Sequence, residues 1–226
     1  MKDLFFDNEC WYQQGCPLLT ENCRKTCHRY LEMNYLISNC GMPNATKYLK
    51  KIRPVKDDEA AYRELKKIKD SIVDFVRQGR NLYICSAKCG NGKTTWALKL
   101  LYKYFDEIWN GNGFKKKGYF LYVPEFVNNL KYNEYRNSNE CKELFELIKR
   151  TDIVVWDDIG SSSITAADHN NLISLIGSRC LNDKSNIFTG NLLEEELRST
   201  LGERLYDRIW NMSHRVQLVS PSRRVY

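Results

Sequence analysis

The strongest constraint on the fold is a phosphate-binding loop between a short apolar run and a helical pattern. The loop consists of Ala87, Lys88, Cys89, Gly90, Asn91, Gly92, Lys93 and Thr94. It matches the Walker A pattern GxxxxGK[ST], except that Ala87 replaces the first glycine. Such a loop requires a strand before it and a helix after it, and residues 82–85 and 96–105 have the corresponding apolar patterns. The sequence therefore predicts a P-loop nucleotide-binding domain.

Each polar position of this loop has a separate predicted role. Glycines allow backbone amides to wrap phosphates, and the following helix presents its positive amino terminus to them. Lys93 is expected to reach the β- and γ-phosphates, and the Thr94 hydroxyl is expected to hold Mg²⁺. Ala87 is compatible with this geometry if its φ is negative. We predict that ATP contacts Gly90, Asn91, Gly92, Lys93, Thr94 and Thr95. The alternative is a glycine-rich turn that carries an exposed lysine.

Two adjacent carboxylates follow the apolar run at residues 153–156. In the manner of a Walker B segment, Asp157 would hold the water shell of Mg²⁺ and Asp158 would act as general base for the attacking water. The alternative is a pair of loop aspartates that cap the next segment. Asn191 follows another apolar run, at residues 186–189, and would orient water against the γ-phosphate in the sensor 1 position. Since an asparagine after a glycine also occurs in ordinary turns, this role depends on the surrounding motifs.

Apolar runs alternate with helical patterns over most of the chain. Strands are predicted at residues 82–85, 119–123, 153–156 and 186–189, and Val216 and Leu218 suggest a fifth. Strands separated by helices predict a parallel α/β sheet with crossover connections. From residue 57 onward, an amphipathic helix packs on this domain.

Five segments together resemble a known family. They are residues 81–86, residues 90–94, Val155-Trp156-Asp157-Asp158-Ile159-Gly160, Thr189-Gly190-Asn191-Leu192 and Arg204-Leu205-Tyr206-Asp207-Arg208. Over residues 60–226 the chain is similar to the DnaC/DnaI-type replicative helicase loaders and the related transposase-helper ATPases. The resemblance implies a P-loop AAA+ core, with a five-stranded parallel sheet of order 5-1-4-3-2 flanked by helices. It further implies ATP with Mg²⁺, ring or spiral assembly, contact with single-stranded DNA and a replicative helicase as partner.

The resemblance also implies an arginine that reaches the nucleotide of a neighbouring subunit. The matching residue is Arg208, with Arg204 close to it. Arg224, in a Ser-x-Arg segment at residues 222–224, is a further candidate. The alternative for Arg208 is an exposed helix arginine in a local ion pair.

Cysteines are concentrated near the amino terminus. Four of them lie within 18 residues: Cys10, Cys16, Cys23 and Cys27. Four thiolates at this spacing suit one tetrahedral Zn²⁺, whose binding would supply folding free energy to a small segment. An iron–sulfur cluster and unliganded thiols are the alternatives, and His28 and Cys40 are alternative ligands. The other cysteines are expected to fill space, Cys85 and Cys89 beside the loop and Cys141 and Cys180 in helices.

Changes of composition predict three segments. Residues 1–45 form a cysteine-rich zinc-binding domain, residues 46–57 a linker, and residues 58–226 an AAA+ ATPase domain without a full helical lid. Loaders of the DnaI kind carry an amino-terminal zinc domain that engages the helicase. Residues 1–45 are therefore expected to bind the partner protein.

The charge of the chain is compatible with binding to nucleic acid but does not by itself require such binding. The net charge is +7, with 35 basic and 28 acidic residues interspersed. Residues 115–117 are three lysines, and residues 130–136 mix basic and aromatic groups as single-strand binders do. The absence of a long apolar run and of a signal-peptide pattern predicts a cytoplasmic protein without membrane contact.

Three functions are consistent with these patterns. The leading hypothesis is an ATP-dependent loader of a replicative DNA helicase, encoded by a phage or another mobile element. The second is a transposition helper ATPase. The third is a nucleotide-gated zinc adaptor that hydrolyses little ATP.

Overall fold

The computed structural model of the protein describes residues 27–43, 52, 55–161 and 165–223. Helices and strands alternate through most of this part of the chain. The elements are α1 (His28–Ser38), a 3₁₀ turn (Lys56–Asp58), α2 (Glu59–Asp70), α3 (Ile72–Arg77), β1 (Asn81–Cys85), α4 (Lys93–Ile108), β2 (Gly118–Tyr122), α5 (Val123–Leu130), α6 (Asn133–Asn137), α7 (Asn139–Arg150), β3 (Ile153–Asp157), α8 (Ala166–Leu181), β4 (Ser185–Gly190), α9 (Glu194–Tyr206), a π-helical turn (Asp207–Asn211) and β5 (Ser213–Gln217).

The five strands form one parallel sheet of order β2-β3-β4-β1-β5. Read from the other edge, this is the predicted order 5-1-4-3-2, which is confirmed. Strand β5 contains Val216 but ends before Leu218, and each of the other strands lies within one residue of its predicted bounds. Because all strands run in one direction, their carboxyl ends meet at a single edge of the sheet. That edge brings together the loop after β1, the two aspartates at the end of β3 and the asparagine after β4.

Both faces of the sheet are buried under helices. In β1, Leu82 and Ile84 point into a core cluster shared with α1 to α4, whereas Tyr83 and Cys85 point into a second cluster shared with α5 and α7 to α9. Every residue of β1 and β3 is buried. This explains the near-continuous apolar runs of these strands, since a strand covered on both faces has no solvent-facing positions to alternate.

Helix α1 packs into the first core cluster. Its residues Met33, Leu36 and Ile37 are at most 2% exposed, and the Phe120 N–H of β2 donates to the Cys40 carbonyl oxygen at 2.6 Å. Residues 27–43 therefore share a core with the nucleotide-binding domain. The predicted domain boundary at residue 45 stays a prediction, because residues 1–26 and 44–51 lie outside the described part.

A fully buried arginine joins the elements that carry the acidic strand end. Arg179 of α8 donates to the carbonyl oxygens of Ile148 and Thr151 at the end of α7, and to Asn186 Oδ1 in β4. These bonds satisfy carbonyl groups that the end of α7 leaves without a helical partner. Burial lowers the pKa of Arg179 to about 9. The guanidinium thus ties the end of α7, which leads into β3, to β4.

Candidate nucleotide-binding site

The phosphate-binding loop has the backbone geometry that the sequence predicts. It begins after β1, and α4 begins at Lys93 with Gly92 as its N-cap residue at φ 104°. A left-handed φ of this size favours glycine, because a side chain there would be strained. The positive-φ residues other than glycine in the described part are Phe114, Asp158 and Asp183, so the φ of Ala87 is not positive. The replacement of the first glycine by Ala87 therefore leaves the loop unstrained.

Lys93 lies at the centre of the site. Its Nζ donates to the Asn191 Oδ1 at 2.7 Å and to the Lys88 carbonyl oxygen at 3.0 Å. Burial lowers the pKa of Lys93, although the nearby Asp157 and Asp158 act in the opposite direction. The ammonium group is thus held largely out of water beside the amino terminus of α4, where phosphate oxygens would restore its solvation.

Asp157 and Thr94 form a pair of oxygen groups suited to Mg²⁺. Asp157 is 4% exposed, and its Oδ1 accepts hydrogen bonds from Thr94 Oγ1 at 2.8 Å and Thr189 Oγ1 at 2.6 Å. Burial raises the pKa of Asp157. A carboxylate beside a threonine hydroxyl at a phosphate-binding loop is an oxygen-rich set of the kind that Mg²⁺ binds together with phosphates and water. These two residues fit the ion.

Asp158 and Asn191 meet across the ends of β3 and β4. Asp158 has φ 60°, and its backbone N–H donates to Thr189 Oγ1 at 3.0 Å. The Asn191 Nδ2 donates to Asp158 Oδ1 at 3.3 Å. The left-handed φ turns the chain directly after Asp157, so the two neighbouring carboxylates make different contacts. One hydroxyl, that of Thr189, links both of them.

These groups line a single cavity of about 1020 Å³. Its wall contains every residue that the sequence predicts for ATP and Mg²⁺, as well as Asp158 and Asn191. Besides Cys89, which belongs to the loop itself, five lining residues were not predicted as site residues: Ile52, Val55, Tyr122, Thr189 and Arg223. Thr189 carries a local signal, since it is a polar residue inside an apolar strand. Arg223 lies in the Ser-x-Arg segment beside the candidate Arg224, whereas Ile52, Val55 and Tyr122 belong to no nucleotide-binding motif.

Arg208 does not line this cavity. It lies on the π-helical turn before β5, near the amino-terminal ends of the strands, and its Nη1 donates to the Arg204 carbonyl oxygen at 2.9 Å. A Cβ added to Gly177 of α8 would be 3.1 Å from Arg208 Nε. The preceding helix α9 is interrupted at Gly202, whose φ of 71° and ψ of 164° are accessible to glycine alone. Arg208 is thus remote from the nucleotide cavity of its own chain, and Arg224 lies outside the described residues.

The structure describes only part of the predicted zinc site. Cys10, Cys16 and Cys23 lie outside the described residues, whereas Cys27 directly precedes α1. Within the part that is described, no group of three or more metal-ligating side chains occurs. Cys40, an alternative ligand, is 1% exposed, and burial raises its pKa to about 12. The other alternative, His28, lies 3.4 Å from Glu32.

The remaining cysteines follow the prediction with one exception. Cys85 and Cys141 are buried and Cys180 is half-buried. Cys89 was expected to fill space beside the loop, and this was wrong. It is exposed and lines the nucleotide cavity, because the loop turns it outward before Gly90.

Two segments, residues 115–117 and 130–136, were considered for DNA binding, and only some of their basic and aromatic side chains are exposed to solvent without an intramolecular bond described below. Lys117 pairs with Asp152 at 3.1 Å, whereas Lys115 and Lys116 are exposed. Arg136 donates from Nε and Nη2 to the Leu130 carbonyl oxygen, which satisfies the end of α5. In the same segment Lys131 is exposed and Tyr132 is 62% exposed.

The fold and the site define a P-loop nucleotide-binding protein. The chain belongs to the family of IstB-like ATP binding proteins, whose sequence model matches residues 18–226. The match begins well before residue 60, where the predicted resemblance starts. No curated protein matches the chain significantly in sequence. Among the described residues, no helix is both long and apolar enough to cross a membrane.

Several solved structures share this fold. The crystal structure of the DnaC helicase loader is 20% identical with a TM-score of 0.62, over 76% of this chain and 95% of that one. The crystal structure of DnaI is 19% identical with a TM-score of 0.63, over 81% of this chain and 94% of that one. The replication initiator DnaA bound to AMPPCP and single-stranded DNA is 14% identical with a TM-score of 0.60, over 74% of this chain and 48% of that one. The predicted resemblance to helicase loaders is thus confirmed as a likeness of fold.

Proposed function

We propose that this protein is an ATP-hydrolysing loader that delivers a replicative DNA helicase to single-stranded DNA. The observation that carries the proposal is the structural likeness to DnaC and DnaI over nearly their whole length. It is supported by a cavity that is lined by Lys93, Thr94, Asp157, Asp158 and Asn191. A nucleotide-gated adaptor would need neither Asp158 nor Asn191 beside the phosphate position. Their hydrogen bond across the strand ends therefore favours turnover over mere nucleotide binding.

The residues of the cavity divide the hydrolytic reaction among them. Lys93 and the amides of residues 90–94 bind the phosphates. Thr94 and Asp157 would hold Mg²⁺, which would supply positive charge to neutralise the phosphates. Asp158 accepts a proton from the attacking water, which Asn191 orients. Because Arg208 lies far from the cavity of its own chain, it would complete the site of a neighbouring subunit. Hydrolysis then requires self-association.

Contact with DNA is assigned to the exposed residues between α5 and α6. Tyr132 presents an exposed ring and Lys131 an exposed charge next to it. An aromatic face for base stacking beside a cation for the phosphate is the usual arrangement of single-strand binders. Arg136 is not assigned this role, because its Nε and Nη2 donate to the Leu130 carbonyl oxygen.

Affinity purification from the native host tests the assignment of the partner. The bait is Asp158→Asn, which should retain ATP and so stabilise the loaded complex. We expect a replicative helicase among the proteins that co-purify in the presence of ATP, and its loss when Lys93→Ala is the bait. Recovery of a transposase instead would identify a transposition helper and contradict the loader.

We further propose that Cys10, Cys16, Cys23 and Cys27 hold one Zn²⁺ per chain in a module that engages the helicase. Metal analysis of the purified protein should give one equivalent of zinc, which Cys23→Ser should abolish while ATP affinity is preserved. Cys180→Ser is the matched control and should retain the metal, because Cys180 lies on α8 beside Asn81. Iron with visible absorbance, or no metal, would disprove this site.

A further inference from the structure

A tyrosine on β1 reaches across the sheet to the turn that carries Asn191. Residues 191–193 connect β4 with α9, and the Tyr83 hydroxyl donates to the Leu192 carbonyl oxygen at 2.8 Å. Tyr83 is fully buried, where a hydroxyl needs a partner in place of water. Burial raises the pKa of Tyr83, so the hydroxyl stays protonated and acts as the donor. The bond therefore holds the backbone one residue after Asn191.

A glycine makes this reach possible. Tyr83 is the partner of Phe188 in the register of β1 and β4, so Gly190, two residues further along β4, lies on the same face of the sheet as the tyrosine side chain. A Cβ added to Gly190 would be 2.6 Å from Tyr83 Oη and 2.9 Å from the Ile159 carbonyl oxygen. The tyrosine ring therefore occupies the space that a side chain at Gly190 would need.

The ring of Tyr83 also packs against the π-helical turn before β5. Its centroid is 5.9 Å from that of the Trp210 ring, at an interplanar angle of 68°. This is the edge-to-face arrangement that aromatic pairs prefer. Because the ring is held by packing as well as by its hydroxyl, a phenylalanine at this position would keep the ring in place and lose only the bond to Leu192.

The position of the turn decides what the Asn191 side chain can contact. Its Oδ1 accepts from Lys93 Nζ at 2.7 Å, and its Nδ2 donates to Asp158 Oδ1 at 3.3 Å. Both bonds belong to one planar amide, so a shift of the backbone would lengthen at least one of them. In catalysis a misplacement of about 1 Å can cost on the order of a hundredfold in rate.

We propose that Tyr83 is a positioning residue for ATP hydrolysis, whose hydroxyl holds the turn after β4 so that Asn191 reaches Lys93 and Asp158. Tyr83 does not line the nucleotide cavity and therefore acts through Asn191 rather than on the nucleotide. This role rests on the proposed function, hydrolysis at the phosphate-binding loop, and adds to it a residue outside the Walker A segment.

NMR of the unliganded protein tests the positioning directly. The side-chain NH₂ signal of Asn191, identified by its absence in Asn191→Ala, should shift or broaden in Tyr83→Phe, because the turn loses its bond to β1. Tyr104→Phe is the matched control. Tyr104 is a buried tyrosine of α4 that does not line the cavity, and its hydroxyl donates to Asp152 Oδ2 at 3.1 Å. Its substitution removes the same atom and should leave the Asn191 signal unchanged.

Steady-state ATPase kinetics test the consequence for catalysis. Tyr83→Phe should lower kcat about tenfold or more and leave ATP affinity within about twofold of the wild type, because Lys93 and the loop amides remain in place. Tyr104→Phe should keep the wild-type kcat. In the Asn191→Ala background, Tyr83→Phe should have almost no further effect, since residues that act through one another are not additive. Thermal unfolding of every variant is measured alongside.

Three results would overturn the proposal. An Asn191 signal that is unchanged in Tyr83→Phe would show that the hydroxyl does not hold the turn. A wild-type kcat of Tyr83→Phe, or an equal loss of kcat in the wild-type and Asn191→Ala backgrounds, would make the bond purely structural. Failure of the proposed function is recognised separately, because the wild type would then not hydrolyse ATP, and the NMR comparison would still decide whether Tyr83 positions Asn191.

Discussion

Lys93→Ala should lose tight ATP binding while the protein remains folded. The ammonium group faces the position of the β- and γ-phosphates, and a hydrogen bond to a charged group contributes about 1.5–3 kcal/mol. With more than one phosphate oxygen in reach, the loss of affinity is expected to be on the order of a hundredfold. Burial lowers the pKa of Lys93, which means that the charge is unfavourable in the unliganded fold. Removing it should therefore not lower the melting temperature.

The matched control for this variant is Lys88→Ala. Lys88 belongs to the same loop, but its side chain is exposed and does not line the cavity. Its replacement removes an equal charge from the loop and should leave ATP affinity within about twofold of the wild type. Calorimetry with Mg-ATP measures both variants, and thermal unfolding confirms the fold. Unchanged ATP affinity of Lys93→Ala would refute the assignment of the phosphate-binding loop.

Arg208→Ala should leave ATP binding to isolated subunits unchanged and reduce hydrolysis steeply. Arg208 lies outside the nucleotide cavity, near Gly177 of α8, so it has no route to the phosphates of its own chain. An arginine supplied by a neighbouring subunit contributes on the order of 10³-fold or more in related phosphoryl transfers. Steady-state ATPase assays at several protein concentrations measure the effect, and Arg215→Ala provides the control with an equal change of charge.

A mixing experiment distinguishes action between subunits from a local structural role. Asp158→Asn should bind ATP but turn over slowly, because the amide does not accept a proton from water. When it is mixed with Arg208→Ala, some interfaces pair an intact Asp158 with an intact Arg208. Activity that neither variant has alone should then return. The trans role is refuted if assemblies shown to be mixed remain inactive, and full activity of Arg208→Ala alone would exclude an arginine finger.

Local sequence patterns were sufficient for the nucleotide-binding centre. The loop at residues 87–94, the aspartates after β3 and Asn191 after β4 each follow an apolar strand, and the strand bounds were predicted to within about one residue. The physical reason is that parallel strands end at a common edge, so polar residues placed directly after them must meet. The strand order itself came from the resemblance to helicase loaders, because periodicity contains no information about which strands are neighbours.

Other parts of the site depended on the tertiary structure. Arg223 and Asp58 are 165 residues apart, and neither belongs to a motif that predicts their contact. They meet because β5 pairs with β1, which directs residues 218–223 across the phosphate-binding loop to the start of α2. Thr189 likewise bonds to Asp157 only because β4 pairs with β3. Contacts between residues of different strands depend on which strands are neighbours, and that is decided by the packing of the whole sheet. Residues that directly follow one strand are recognised from a few consecutive positions of the chain.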